Sequence, residues 1–211
     1  MATNFSHVLS NSVRPEWTVR VVQPEVGTVA DQAALAELDE AQLVAACLAG
    51  QREAFDVIVE RHRRTVYLLC YRFVGNHEDA SDLSHDVFVR AYKGLQRFRG
   101  QSSLGTWLYR IGVNVCLNRV SARKPITEPI DARPHLDQRA VNPAEALLKG
   151  ERASQVRDAI AQLPRKQRAT VILRVYHELS HEEIAGILGS SVGAVKANFF
   201  HAIGNLKRLL T

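Results

Sequence analysis

From Asp39 onward, apolar side chains recur at intervals of three and four. Phe55, Ile58, His62, Val66, Leu69 and Phe73 fall on one face of a helix at that spacing. Gly50 and the Gly75-Asn76 pair punctuate the stretch as helix ends, because both residue types tolerate left-handed backbone. A second amphipathic run holds Asp82, Leu83, Asp86, Val87, Phe88, Ala91, Tyr92 and Leu95, and Gly100 to Ser103 follows as a polar loop. Leu104, Trp107, Leu108, Ile111 and Val115 then form the buried stripe of a further helix, so Trp107 reads as core before it reads as a stacking platform. The other side of that helix carries Arg110 and Asn114 and runs into Arg119, Arg123 and Lys124.

The second half repeats the helical period after a gap. A helix from about Ala144 to Leu163 is broken by Pro164, and the next continues to about Tyr176. Ser180-His-Glu-Glu183 is a capping box opening a short helix with Ile184, Ala185 and Leu188 inward, ended by Gly189. Ser190-Ser191 starts another helix, with Val192, Val195, Phe199, Ile203, Leu206 and Leu210 on one stripe. Two helices around a glycine turn, the second basic, predict a helix-turn-helix, with a plain helical hairpin as the alternative. The expected fold is all-α: two small helical domains joined by a flexible linker.

Proline placement sets the boundaries. Four of the seven prolines are Pro125, Pro129, Pro134 and Pro143, while residues 25–124 have none. This predicts a helical domain over 39–122, a linker over 123–143 and a second domain over 144–211. Residues 1–38 lack a helical period and are predicted to be a flexible extension, with Trp17 to Val22 able to pair as a short strand. At about 3.5 Å per residue, a linker of about 20 residues reaches roughly 70 Å, which lets independent domains touch two sites on one DNA face.

The net charge of the 211 residues is only +5, but it is unevenly placed. Residues 101–124 hold Arg110, Arg119, Arg123 and Lys124 with no acid, and residues 191–211 hold Lys196, Lys207 and Arg208 with no acid. Two basic islands suggest two contacts with a polyanion. The three cysteines, Cys47, Cys70 and Cys116, are odd in number and widely spaced, so neither a disulfide framework nor a cysteine zinc site is indicated. No apolar run approaches the roughly 20 residues that span a bilayer, and the start lacks a signal peptide, which predicts a cytoplasmic protein without membrane insertion. His177-Glu-Leu-Ser-His181 matches the zinc-protease pattern, with His201 as a conceivable third ligand, but Ser180 reads as a cap that breaks the helix between the histidines. Asp82 and Asp86 stand four residues apart but lack a third ligand, so no metal site is expected.

Several motifs stand in a recognisable order: Glu53-Ala-Phe-Asp56, Asp82-Leu-Ser-His-Asp-Val-Phe-Val-Arg-Ala-Tyr92, Arg97-Phe-Arg-Gly100, Thr106-Trp-Leu-Tyr-Arg-Ile111 with Asn114, Leu163-Pro-Arg-Lys-Gln-Arg168, and Leu179-Ser-His-Glu-Glu-Ile-Ala185 followed by Ser191-Val-Gly-Ala-Val-Lys196. From about residue 40 to 211 the chain resembles the extracytoplasmic-function (ECF) class of bacterial sigma factors. The resemblance implies a subunit that binds core RNA polymerase and directs it to promoters, with the first domain as sigma region 2 and the second as region 4. It places the polymerase contact on Asp82, Asp86, Val87 and Arg90. It assigns the −10 promoter element to Phe98, Arg99, Gly100, Gln101, Ser102, Ser103, Arg110, Asn114, Arg119 and Arg123. In the family a base flipped from the duplex enters the loop, and pocket contacts and stacking must offset an unstacking cost of a few kcal/mol. The −35 element falls to Ser190, Ser191, Gly193, Ala194, Lys196, Ala197, Asn198 and His201. An anti-sigma factor is the implied regulator, and the chemistry of RNA synthesis is left to the polymerase, so no catalytic residue or cofactor is expected in this chain. The recognition helix departs from the family in its scarcity of arginine and in the aromatic Phe200, so fewer phosphate contacts are expected. A stand-alone helix-turn-helix regulator is the competing reading, but it gives the first domain no purpose.

Overall fold

The computed structural model describes residues 34–122 and 143–211. The extension before residue 34, with the proposed strand at Trp17, and the linker with Arg123 lie outside the described residues. Among those described, every regular element is helical.

Helix α1 (Glu40–Leu48) starts where the Asp39 carboxylate accepts from the Gln42 N–H while the Gln42 side chain accepts from the Asp39 N–H. Residues 34–38 belong to the bundle rather than to the extension. Leu35 and Leu38 pack on its core, and Arg61 donates to the Ala36 and Leu38 carbonyls at 2.6 and 2.7 Å.

Helix α2 (Glu53–Val74) buries Phe55, Ile58, Val66, Leu69, Cys70 and Phe73, and Gly75 ends it in left-handed backbone at φ 79°. Each fully buried aliphatic or aromatic side chain on that face contributes about 1.5–3 kcal/mol. Asn76 then caps α3 (His77–Gly94), accepting from the Asp79 N–H at 2.8 Å. A tight 3-10 turn, Leu95–Arg97, leads into the loop, and α4 (Leu104–Ala122) follows.

Helix α4 is buried more widely than its predicted stripe. Leu104, Leu108 and Val115 are buried as expected, but Gly112, Val113 and Cys116 join them, while Trp107 and Ile111 are only half-buried. Gly112 allows the close approach to α2: a methyl group there would meet Leu69 Cδ2 at 2.7 Å.

The second domain begins with α5 (Pro143–Ala161), so Pro143 opens a helix rather than closing the linker. Helix α6 (Arg165–Val171) passes into a wider π-helical turn, Ile172–Tyr176. Two residues past that turn stands Glu178, a non-glycine residue at φ 55°. Helix α7 (His181–Leu188) starts with the Ser180–Glu183 capping box, Ser180 Oγ accepting at 3.1 Å and the Glu183 carboxylate accepting at 2.8 Å. The helix is therefore interrupted between His177 and His181, which removes the geometry a zinc protease needs. Among the described residues no group of three His, Cys, Asp or Glu side chains is placed to hold a metal ion. Gly189 at φ 59° makes the turn, and Ser191 caps α8 (Val192–Leu210) by accepting from the Ala194 N–H. Of the stripe expected on α8, Val195 is fully buried, whereas Ile203 and Leu210 remain 46% exposed.

The two helical domains do not stand apart. Their buried side chains form one continuous cluster running from Leu43 to Ala202, with α7 lying against α4 and the π-turn against α2.

Candidate nucleic-acid and polymerase interface

The loop between the 3-10 turn and α4 is shaped by residues at its two ends. Phe98, half-buried, packs on Trp107 with ring centroids 5.2 Å apart and a tilt of 49°. Gly100 supplies the left-handed turn at φ 66°. Ser103 Oγ accepts from the Thr106 N–H at 3.1 Å and caps α4, a role visible in the sequence as a serine immediately before a helical run. Arg99, Gly100, Gln101 and Ser103 are exposed, and Ser102 is half-exposed. The result is a polar rim with one aromatic ring behind it.

Along α4, Asn114 is exposed. The two neighbouring arginines are engaged. Arg110 donates to the Gly186 carbonyl on α7 at 2.9 Å. Arg119 donates to Asp79 at 2.7 Å, with Asp79 nearly buried and also bonded to Asn76. A small polar hollow lined by Asn76, Glu78, Asp79, Asp82 and Arg119 opens beside this pair.

On α3, Asp82 is exposed and Asp86 takes Arg90 in a fork, with Nε at 3.0 Å from both carboxylate oxygens and a second nitrogen at 2.9 Å. Val87 differs from the expectation. It is fully buried, on the same face as Leu83 and Ala91 and against the α4 backbone near Gly112, so it supports the helix and has no surface to offer a partner.

At the start of α8, Ser191, Gly193, Ala194, Lys196, Ala197 and His201 are exposed, while Ser190 and Asn198 are half-buried. Phe200, 76% exposed, stands in a shallow groove with Lys196, Phe199, Ile203, Lys207 and Arg208. Glycine and alanine at the tip leave the helix end bare enough to approach a groove floor closely.

Residues 58–125 match the family Sigma-70 region 2, and residues 153–206 match Sigma-70, region 4. The RNA polymerase sigma-H factor of Pseudomonas aeruginosa is 33% identical over 177 residues, covering 80% of this chain and 92% of that protein. The ECF RNA polymerase sigma factor SigW of Bacillus subtilis is 32% identical, covering 76% and 91%. The chain is a member of the ECF RNA polymerase sigma factors. A solved structure of CnrH in complex with the cytosolic domain of CnrY agrees in shape, with TM-score 0.58, 26% identity and coverage of 86% of this chain and 97% of that one. The sigma factor RpoE of Bartonella quintana, solved with the anti-sigma factor NepR, shares the fold at TM-score 0.57 and 20% identity.

Within this sigma factor, a set of side chains that sequence reasoning missed joins region 2 to region 4. Tyr109 Oη and His177 Nδ1 are 2.9 Å apart, with the rings edge to face at 5.0 Å. The Arg72 guanidinium lies 4.1 Å from the Tyr176 ring centroid. Arg168, buried, donates to the Phe73 carbonyl at the end of α2 and to the Ala161 carbonyl at 3.2 Å. Burial holds the His177 imidazole down to about 4, with the nearby Arg72 charge adding to the effect, so the ring is neutral at pH 7. Its Nε2 is buried without a hydrogen-bond partner among the described residues. No local period announces these residues, because each contact joins positions far apart in the chain.

Proposed function

We propose that this sigma factor binds core RNA polymerase through the exposed edge of α3, where Asp82 and the Asp86–Arg90 fork present fixed charges in a helical row. The loop from Phe98 to Ser103 receives a base extruded from the −10 element, its polar rim supplying hydrogen bonds and the Phe98–Trp107 pair a wall to stack against. Asn114, with Arg110 and Arg119 once released from Gly186 and Asp79, holds the opened strand. The outward-facing start of α8, Ser191 to Ala197 with His201, enters the major groove at the −35 element, where Lys196 supplies a phosphate or guanine contact. RNA synthesis itself belongs to the polymerase, and this chain contributes position rather than chemistry. An anti-sigma factor is the expected regulator; the sigma factor RpoE, which shares the fold, was solved with one, NepR. Among the described residues no helix is long and apolar enough to cross a membrane.

The observation that carries the reading is the pairing, in one chain, of an exposed polar loop on a basic helix with a capped helix-turn-helix whose tip is free of bulky side chains. Run-off transcription from a genomic library, with bacterial core polymerase and the purified protein, tests it. Initiation at a defined set of start sites is expected, and no promoter-directed initiation across the library refutes the proposal.

A further inference from the structure

The outward face of α8 carries conditional charge beside its fixed charge. Lys196, Phe200, Ile203 and Lys207 follow one another at steps of four, three and four, and Ala197, His201 and Arg208 run beside them at steps of four and seven. The shallow groove on this face gathers Lys196, Lys207, Arg208 and the imidazoles of His181 and His201 around the exposed Phe200 ring. Among the described residues no carboxylate lines it. His181, the first residue of α7, is half-buried with its ring edge to face on Phe199, centroids 6.0 Å apart. His201 is exposed, its ring 5.7 Å from that of Phe200.

We infer that His181 and His201 are proton-gated phosphate contacts, each adding one cation to the DNA-facing surface of region 4 as pH falls, so that its grip on promoter DNA tightens in acid. The inference rests on the reading of α8 as the −35 helix.

Helix geometry decides what these rings meet. At about 1.5 Å per residue, His201 stands about 15 Å along the helix from Ser191 at its tip. The major groove is about 8.5 Å deep. A helix that enters tip first therefore holds His201 at the mouth of the groove, level with the phosphates that edge it, and Lys207 and Arg208 beyond. His181 comes to the same level from α7, because its ring lies against Phe199, two residues before His201.

Imidazole is the side chain that ordinarily changes charge between pH 5 and 8. The neutral ring brings no charge to a phosphate, whereas the imidazolium brings a full charge and two N–H donors. Because phosphate stabilises the protonated ring, the DNA-bound protein holds more protons than the free one, and affinity rises as pH falls. The surroundings leave that task to the DNA. From α8 the rings face Lys196, Lys207 and Arg208, and neither α5 nor α6 adds a charged group to the lining; Gln167 of α6 is neutral and bonded to Asn205 at 2.7 Å. From α7 come Glu182, exposed outside the groove, and Glu183, whose carboxylate is taken by the Ser180 N–H at 2.8 Å. The scarcity of arginine on α8 is thus partly a replacement of permanent charge by charge that depends on pH.

Salt titrations of duplex binding with the full chain test the inference. Fluorescence anisotropy gives affinities for a promoter duplex from a mapped start site and for a shuffled duplex of the same composition, at about pH 8 and about pH 5.5, with circular dichroism confirming the fold at both. Each protonated ring is expected to steepen the slope of log affinity against log salt by about 0.9, hence about 1.8 for the pair, on both duplexes. Affinity at about 0.1 M salt should rise about tenfold or more. His181→Gln and His201→Gln should each lose about half of the steepening and the double variant nearly all of it, while His201→Arg should already show the steeper slope at about pH 8. A wild-type slope that does not change with pH overturns the inference, as do a double variant that keeps the full change and an absence of duplex binding in acid. Steepening confined to the promoter duplex overturns the assignment to phosphate. Run-off transcription runs alongside. Its failure counts against the sigma reading, whereas the slopes on the shuffled duplex alone decide the role of the two histidines.

Discussion

Gly112 is the position where α4 comes closest to α2, and it permits a sharp test of how the strand-facing helix is held. Gly112→Ala places a methyl 2.7 Å from Leu69 Cδ2 and 3.7 Å from Val87 Cγ2, in a region where Leu69 and Val87 are both fully buried. Two terms oppose each other. Alanine is favoured over glycine inside a helix by about 1 kcal/mol. Overpacking a filled core costs about 1–3 kcal/mol. The single substitution is therefore expected to destabilise by about 1 kcal/mol. Leu69→Ala alone opens a cavity and costs about 2–5 kcal/mol. In that background the clash is gone and the new methyl fills part of the void, so Gly112→Ala should change sign and stabilise by about 1–2 kcal/mol. The coupling between the two sites is then about 2–3 kcal/mol, well above the roughly 0.5 kcal/mol at which sites count as independent. Urea unfolding of all four proteins followed by far-ultraviolet circular dichroism, with slopes compared to confirm equal exposed surface, measures it. If Gly112→Ala has the same effect in both backgrounds, the close packing of α4 on α2 is not what holds the helix.

Asp82→Lys with Asp86→Lys is expected to weaken binding to core polymerase about tenfold or more, read by fluorescence anisotropy, because like charge replaces complementary charge across an interface. Val87→Ala, in contrast, should lower stability by about 1–2 kcal/mol in urea melts without a specific loss of polymerase affinity in the folded protein. Ser180→Ala removes half of a capping box and should cost about 1 kcal/mol of region 4 stability in thermal melts. Burial holds the His177 ring at about 4 in the folded protein, against an ordinary value of 6.5. Below pH 6.5 the unfolded chain takes up that proton and the folded protein does not, so stability is expected to fall as pH drops from about 6.5 towards 4. Urea melts between pH 7 and pH 4.5 check this, and the loss of stability over that window should be smaller in His177→Gln. Lys196→Ala should reduce the slope of log affinity against log salt for a −35 duplex by about one, measured by filter binding.

The helix ends were the most legible part of the sequence. Asp39, Asn76, Ser180, Ser191, Gly75 and Gly189 each act on backbone groups within a few residues, so their meaning is local and survives reading in one dimension. The face of α2 was legible for the same reason. Helix α4 was legible only in part, because region 4 covers a second side of it and widens the buried surface to Val113 and Cys116. Val87 shows a different failure. Its spacing of four from Leu83 and Ala91 already marked it as core, and the family resemblance overrode that signal with an outward role. The contacts between the two domains were not legible at all, since Tyr109 meets His177 and Arg168 meets Phe73 across long stretches of chain that no periodicity spans.

Helix α2 ends with its last carbonyls exposed to capture, and the group that captures the Phe73 carbonyl is Arg168, from the other domain. A helix normally finishes its own C-terminal bonding with a glycine turn, a nearby cation or water. Here part of that finish is borrowed. Arg168→Ala would remove that guanidinium cap while Gly75 remains, so the final turn of α2 should fray slightly although nothing in the first domain has changed. Amide exchange at the α2–α3 corner thus reports how firmly one domain is seated on the other, readable without labels and without knowing which promoter the protein serves.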